Sequence, residues 1–285
     1  MLSNLEHQQS EFISQFENWL KAYLLEAADG NKPSLLLRNS QIYSLSSGGK
    51  RFRPFLTSLV FQLFSQDILK IKNFCLAVEM IHTYSLIHDD LPCMDNDDFR
   101  RGKPANHKVY SEDISLLAGD GLLTDAFFVI ANDTLLDPIS KVELVKLLSK
   151  KAGSDGMVGG QALDMRADSN LTFGELKTIH KMKTANLIQV AAAGAGIIAG
   201  CSESELHNIS DFSFNLGMAF QIKDDLLDFS DTEQAFKSYL KFLGFPKTQE
   251  ELEKHSTEAV QSLKLLNRNS AMLVQLIDFN LRRSN

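Results

Sequence analysis

Proline, cysteine and positive charge are all in short supply. Six prolines in 285 residues leave few interruptions, and no Pro/Gly/Ser-rich stretch or shift in composition marks a linker. One domain spanning residues 1–285 is therefore expected. The three cysteines, Cys75, Cys93 and Cys201, stand apart at no metal-ligand spacing, which speaks against a disulfide scaffold or a zinc site and reads as reduced filler. Lysine and arginine number 29 against 36 aspartates and glutamates, a net charge of −7, so a nucleic-acid footprint is not expected. The opening MLSNLEHQQSEF lacks the charged and apolar regions of a signal peptide, and no stretch is expected to reach the span of a membrane helix. A cytoplasmic protein without stable membrane insertion is the expectation.

What is present is helical periodicity. Apolar residues recur at three- and four-residue spacing in Phe12, Phe16, Trp19 and Tyr23, in Phe74, Val78 and Ile81, and in Leu206, Ile209, Phe212 and Leu216. No comparable run alternates with period two. Ser202 with Glu205 and Thr248 with Glu251 read as capping boxes. The fold class is all-α, with about ten or more helices at typical lengths. The small-residue stretch from Ala191 to Gly200 is explained by close helix packing and carries no chemistry.

Two acidic clusters stand out against this apolar background. Asp89, Asp90 and Asp95 lie in SLIHDDLPCMDNDDFRRGKP, and Asp224, Asp225 and Asp228 lie in FQIKDDLLDF. Asp224 and Asp228 are four residues apart and share a helix face with Gln221. A solvated helix face is the bland alternative, but the flanking Leu216, Met218, Phe220, Ile222, Leu226, Leu227 and Phe229 are apolar, and carboxylates among them are costly unless compensated. In the first cluster Pro92 disfavours helix at Leu91, so the chain must turn. Asp95 then either swings back toward Asp89 or belongs to a polar loop. An EF-hand is excluded, because Arg100 occupies the glycine position and no glutamate closes the loop. Hard carboxylate oxygens suit Mg²⁺, which is usually held by a few carboxylates plus substrate phosphates.

Cations accompany both clusters. Gly48 and Gly49 end a loop and Pro54 opens a helix, leaving Lys50, Arg51 and Arg53 at a helix N-terminus, a natural anion site. Arg100 and Arg101 offer planar forks that match phosphate oxygens. Lys183 and Thr184 are a third candidate phosphate contact. His82 taken alone reads as a structural histidine.

The segments GGKRFRP, IHTYSLIHDDLPCMDNDDFRRGKPANHK, GMVGGQALD and FQIKDDLLD together resemble the trans-isoprenyl diphosphate synthases, and within them the bacterial farnesyl diphosphate synthase type. The resemblance implies a single-domain helical bundle around a central apolar cavity with both aspartate motifs facing it, and a homodimer. It assigns Lys50, Arg53, His82 and Arg101 to isopentenyl diphosphate, and Arg100, Lys183, Thr184 and Gln221 to the allylic diphosphate, with Lys183, Thr184 and Gln221 catalytic. Asp89, Asp95 and Asp224 become the principal Mg²⁺ ligands, with Asp90, Asp225 and Asp228 assisting, for three Mg²⁺ ions with substrate bound and Mn²⁺ as a substitute. The implied reaction is ionisation of the allylic diphosphate, condensation with isopentenyl diphosphate and elimination of a proton. Tyr84 and Ser85, five and four residues before Asp89, are implied to set chain length, the aromatic favouring a fifteen-carbon product.

One departure from the family pattern comes after the second motif. Members of the family usually carry a longer loop there with glycines and a lysine, whereas here DFSDTEQAF runs straight into Lys237, Ser238 and Tyr239, roughly a dozen residues shorter, the size of a functional lid loop. The role of that lysine is not transferred to Lys237. The competing readings are a geranylgeranyl diphosphate synthase, a terpene cyclase, which would need no isopentenyl pocket, and a noncatalytic subunit of a heteromeric synthase, which would not keep both aspartate motifs.

Overall fold

The computed structural model describes residues 4–28, 35–227 and 237–283. Asp228 and the shortened stretch after the second motif, residues 228–236, lie outside the described residues. The chain gathers into two compact units, Met1–Ser58 with Ile68–Val145, and Leu59–Asp67 with Lys146–Asn285.

In the first unit come α1 (Asn4–Ala28), α2 (Leu35–Leu45), the start of α3 (Phe52–Phe61), a 3₁₀ turn (Ile68–Ile71) and α4 (Lys72–Asp89). A hairpin of β1 (Phe99–Arg100) and β2 (Lys103–Pro104) comes next, then α5 (Asn106–Tyr110) and α6 (Glu112–Ala131). The apolar stripe of α1 is buried as its spacing predicts: Phe12 and Phe16 are enclosed, and Trp19 meets Phe12 edge-on at 6.0 Å between centroids. Helix α4 is apolar nearly all round and is the core of this unit, with Phe74, Val78 and Ile81 fully buried. It packs chiefly on α6, which also covers α2.

The all-α reading holds, with one small addition, an antiparallel hairpin whose register pairs Phe99 with Pro104 and Arg100 with Lys103. Its two turn residues, Arg101 and Gly102, have φ of 54° and 75°, the left-handed pair that a two-residue hairpin turn requires. One expectation does change: among the described residues one helix reaches membrane-span length and hydropathy, α6, with 20 residues and mean hydropathy 1.7. Its Asp125 is ion-paired with Arg38 of α2 at 2.5 Å, and its small positions let neighbours approach, which gives the helix protein partners along one face. Leu116, Leu117 and Phe128 on it remain exposed.

The second unit receives the end of α7 (Pro138–Ala152), then α8 (Met157–Arg166), α9 (Phe173–His180), one π-helical turn (Lys181–Ala185), α10 (Asn186–Ile198), α11 (Glu203–Leu227), α12 (Tyr239–Lys264) and α13 (Ala271–Arg282). Its core clusters Leu176, Ala185, Met218, Ala219, Ile222, Tyr239 and Leu252. The capping box at Ser202 and Glu205 forms, with reciprocal bonds of 2.9 and 3.3 Å. The one at Thr248 and Glu251 does not. Gly244 (φ 71°) breaks α12, and Pro246 lies in the first turn of the helical segment beyond the break, so that segment starts earlier than the capping pattern suggests. Thr248 is then inside it and donates to the Gly244 carbonyl at 2.9 Å. A true box lies instead at Thr172 and Glu175, opening α9.

Buried histidines make stability depend on acid. Burial holds His180 near a pKa of about 4 and depresses His82 and His255. A group whose folded pKa is lowered binds its proton first in the unfolded chain, so stability is lost as pH falls below about 6.5. His180 alone accounts for on the order of 3 kcal/mol by pH 4. Denaturant unfolding across pH 8 to 4 should show this decline; a level profile between pH 6.5 and 5 would mean that these rings accept protons while folded.

Candidate active site

In the first unit, α4 carries the first aspartate motif to its end. Asp89 is its last residue, and its carbonyl accepts the Asp95 amide at 2.8 Å, while the Leu91 carbonyl accepts Asn96 at 3.2 Å. The chain therefore turns after Pro92 and Asp95 does swing back beside Asp89. Asn96, at φ 55°, takes the left-handed conformation that asparagine tolerates. Asp95 is exposed and Asp89 partly so. Asp90 is turned inward, 2% exposed, and is held by Arg100, whose Nε donates to it at 2.9 Å and whose Nη2 reaches it as well as Asp97. Burial raises the Asp90 pKa despite that arginine.

The cations separate into two groups. Arg51, at φ 45°, points into the protein and is fully enclosed, bonded to Glu17, Glu79 and the Leu45 carbonyl, each at 2.7 Å. It is thus an internal strut, and the three-residue basic cluster expected at the start of α3 reduces to Lys50 and Arg53. Arg53, His82 and Arg101 converge instead: burial and the charges of Arg53 and Arg101 push His82 well below its ordinary pKa, and burial lowers Arg53 to about 10. Arg53 Nε is buried without a partner. Glu79 is the anion nearest this group, and it is bonded to Arg51. A set of partly buried cations without its own counter-charge is a site for an anion. Gly49 (φ 127°) permits it, since a Cβ there would sit 2.7 Å from the Arg101 guanidinium carbon. That guanidinium also donates to the Gly48 carbonyl.

Below the motif, Tyr84 is 4% exposed, its ring edge-on to His88 at 5.7 Å. Its hydroxyl is buried without a hydrogen-bond partner, and burial raises its pKa to about 12. Ser85 donates to the His82 carbonyl at 2.9 Å, so its hydroxyl is spoken for.

In the second unit, the π-helical turn holds Lys183 and Thr184. Extra-residue turns of this kind commonly mark functional positions. Thr184 donates to Gln221 Oε1 at 2.7 Å, so three of the four residues expected to meet the allylic diphosphate, Lys183, Thr184 and Gln221, share this unit with Asp224 and Asp225 of α11, while Arg100 belongs to the first unit and is paired with Asp90. Asp225 is buried and accepts the Tyr239 amide at 2.8 Å, which anchors the start of α12. Asp224 accepts from Arg283 at 2.5 Å.

Asp164, in the GGQALD segment, is given no role by the sequence alone. Its carboxylate receives Lys183 at 2.6 Å and Lys237 at 3.1 Å. Burial works to raise its pKa, but the two ammonium groups outweigh this and hold it below the ordinary range. Gly160, one turn earlier on α8, is where a Cβ would strike the Lys183 backbone. A carboxylate inside an otherwise apolar motif was the available signal for it.

Among the described residues no three carboxylate, imidazole or thiol groups close up as a metal cage. Carboxylates in ones and twos beside dense cations fit a hard divalent ion that completes its shell with phosphate and water. A polyprenyl synthetase family profile matches residues 34–240. The chain belongs to the polyprenyl synthetase family. It is 43% identical over 255 residues to a farnesyl diphosphate synthase from Micrococcus luteus, covering 85% of this chain and 87% of the relative. It is 38% identical over 280 residues to a chloroplastic geranylgeranyl pyrophosphate synthase from Catharanthus roseus, covering 92% and 78%. Among solved structures, a geranyltransferase from Legionella pneumophila superposes with a TM-score of 0.88 at 33% identity, covering 99% of this chain and 98% of that one. Family membership accounts for the pairing of aspartate motifs with basic residues that the sequence displays, and for its helical architecture.

Proposed function

We propose that this chain condenses isopentenyl diphosphate with dimethylallyl and then geranyl diphosphate to give (2E,6E)-farnesyl diphosphate, with residues 1–285 acting as one catalytic domain. The observation that carries the reading is the Arg53, His82 and Arg101 group, two partly buried guanidinium groups beside a neutral imidazole, whose nearest anion, Glu79, is bonded to Arg51, in the same unit as a carboxylate turn. In this reading Lys50, Arg53, His82 and Arg101 hold isopentenyl diphosphate. Neutral His82 donates one hydrogen bond, and a bound anion would raise its proton affinity. Arg100, Lys183, Thr184 and Gln221 receive the allylic diphosphate; the positive charge of Arg100 and Lys183 stabilises the departing pyrophosphate, and Thr184 and Gln221 offer neutral hydrogen bonds. Asp89, Asp95 and Asp224, assisted by Asp90, Asp225 and Asp228, hold Mg²⁺, three ions with substrate bound. When bound, the metal neutralises the leaving group's charge. The departing pyrophosphate takes the final proton.

Relatives that make farnesyl and geranylgeranyl diphosphates are both similar to this chain, so product length separates the two readings. Enclosed Tyr84 favours fifteen carbons. Purified protein incubated with Mg²⁺, isopentenyl diphosphate and dimethylallyl diphosphate should give a fifteen-carbon product, and a twenty-carbon one would select the geranylgeranyl reading. Tyr84→Ala should lengthen the product by at least one five-carbon unit, whereas Tyr84→Phe should keep it and gain about 1 kcal/mol of stability by removing an unsatisfied buried hydroxyl. A fifteen-carbon product from Tyr84→Ala would remove this residue from chain-length control.

A homodimer is part of the same reading. The exposed Leu116, Leu117 and Phe128 of α6 supply an apolar face suited to a second copy. The acidic net charge fits a cytoplasmic enzyme that binds no nucleic acid.

A further inference from the structure

The residue just past α13 is Arg283. A long cationic side chain at a helix end ordinarily keeps its charged head in water. This one is 7% exposed at its side chain. Its Nη2 donates to Asp224 Oδ1 at 2.5 Å and to the Phe220 carbonyl at 3.0 Å. Its guanidinium lies over the Phe220 ring at 4.2 Å, and its Nε donates to Asn280 at 3.0 Å. Asn280 is itself buried. Four contacts from two helices thus order one cation on a carboxylate 59 residues away in sequence.

We propose that Arg283 is a further residue of the second aspartate motif's metal site, a resident cation on Asp224 that Mg²⁺ with diphosphate must displace. This rests on the reading of Asp224 as a metal ligand. A guanidinium and a divalent ion on the same carboxylate repel each other, and the oxygen that accepts Arg283 has less charge left to offer a metal. The arginine offsets part of the cost of holding the partly buried Asp224 carboxylate away from water. Because Arg283 directly succeeds α13, its release would loosen the last turn of that helix, making the C-terminal segment report on site occupancy.

The test measures binding and exchange, not turnover. Mn²⁺ binding in the presence of inorganic pyrophosphate is followed by electron paramagnetic resonance for the full chain and for Arg283→Gln, Arg283→Lys and Asp224→Asn. Arg283→Gln should bind Mn²⁺ about tenfold more tightly, since one charged hydrogen bond no longer competes, while Arg283→Lys should stay close to the unaltered protein. Equal affinity in Arg283→Gln, with Asp224→Asn weakened, overturns the proposal but leaves Asp224 as a ligand. Undiminished binding in Asp224→Asn overturns the ligand assignment and the proposal with it. Amide hydrogen exchange needs no variant: adding Mg²⁺ and pyrophosphate should speed exchange in the last turn of α13, and unchanged or slower exchange there counts against displacement.

Discussion

Asp89→Asn and Asp224→Asn should each lower turnover by about 10²–10³-fold or more, the scale set by removing one preorganised electrostatic contact to a developing charge. The two differ in what they do to stability. Asp89 ends α4, where a negative charge opposes the helix dipole. It is partly exposed and fills no core volume. Neutralising it should therefore leave the melting temperature unchanged or raise it slightly, the pattern of a residue kept for chemistry at some expense to the fold. Asp224→Asn leaves the buried Arg283 facing an amide, which weakens a charged hydrogen bond and should cost about 1–3 kcal/mol. Steady-state kinetics with thermal melts separates these effects. Near-normal turnover in a folded Asp89→Asn protein would take Asp89 out of the mechanism.

Much of this was legible in one dimension because the signals are local. The stripe from Phe12 to Trp19 and the apolar α4 come directly from helical spacing, and both aspartate motifs are conspicuous as carboxylates set in hydrophobic surroundings. The turn at Pro92 was readable too, since proline restricts the residue before it. The features that escaped depend on partners distant in sequence or on backbone sign. Arg51 belongs to a basic run by spacing, yet a positive φ turns it inward to Glu79, 28 residues away. Arg283 meets Asp224 across 59 positions, and nothing around it in sequence marks it. Thr248 matched a capping pattern, but Gly244 and Pro246 had already begun the helical segment. Aspartates punctuate α6 and mask its hydropathy by eye, one of them paired with Arg38.

Arg51→Met should destabilise the first unit by about 3–5 kcal/mol, because it removes the hydrogen-bonded partner of a buried charge rather than merely losing a contact. Glu79 is 2% exposed and has Arg51 Nη1 at 2.7 Å; without it, the carboxylate loses its hydrogen-bonded ion pair and keeps only the longer-range charges of Arg53 and Arg101. Glu17, 41% exposed at its side chain, can be resolvated and contributes little of the loss. Burial opposes the charge on Arg51, but the two glutamates raise its pKa above that of a free guanidinium, so the strut stays charged at any pH the fold survives. A loss of this size is a large part of a typical folding free energy and lowers the melting temperature by roughly 10 °C. The double variant Arg51→Met with Glu79→Leu should recover most of it, since buried ion pairs are commonly replaceable by apolar residues of similar volume. Arg51 also ties the loop bearing Gly49 and Lys50 to the Leu45 carbonyl, so the double variant should remain folded with a raised KM for isopentenyl diphosphate. Unaltered KM in that variant would show that Lys50 and Arg53 are positioned without the strut, and a melting temperature unchanged in Arg51→Met would show that Glu79 does not need that partner.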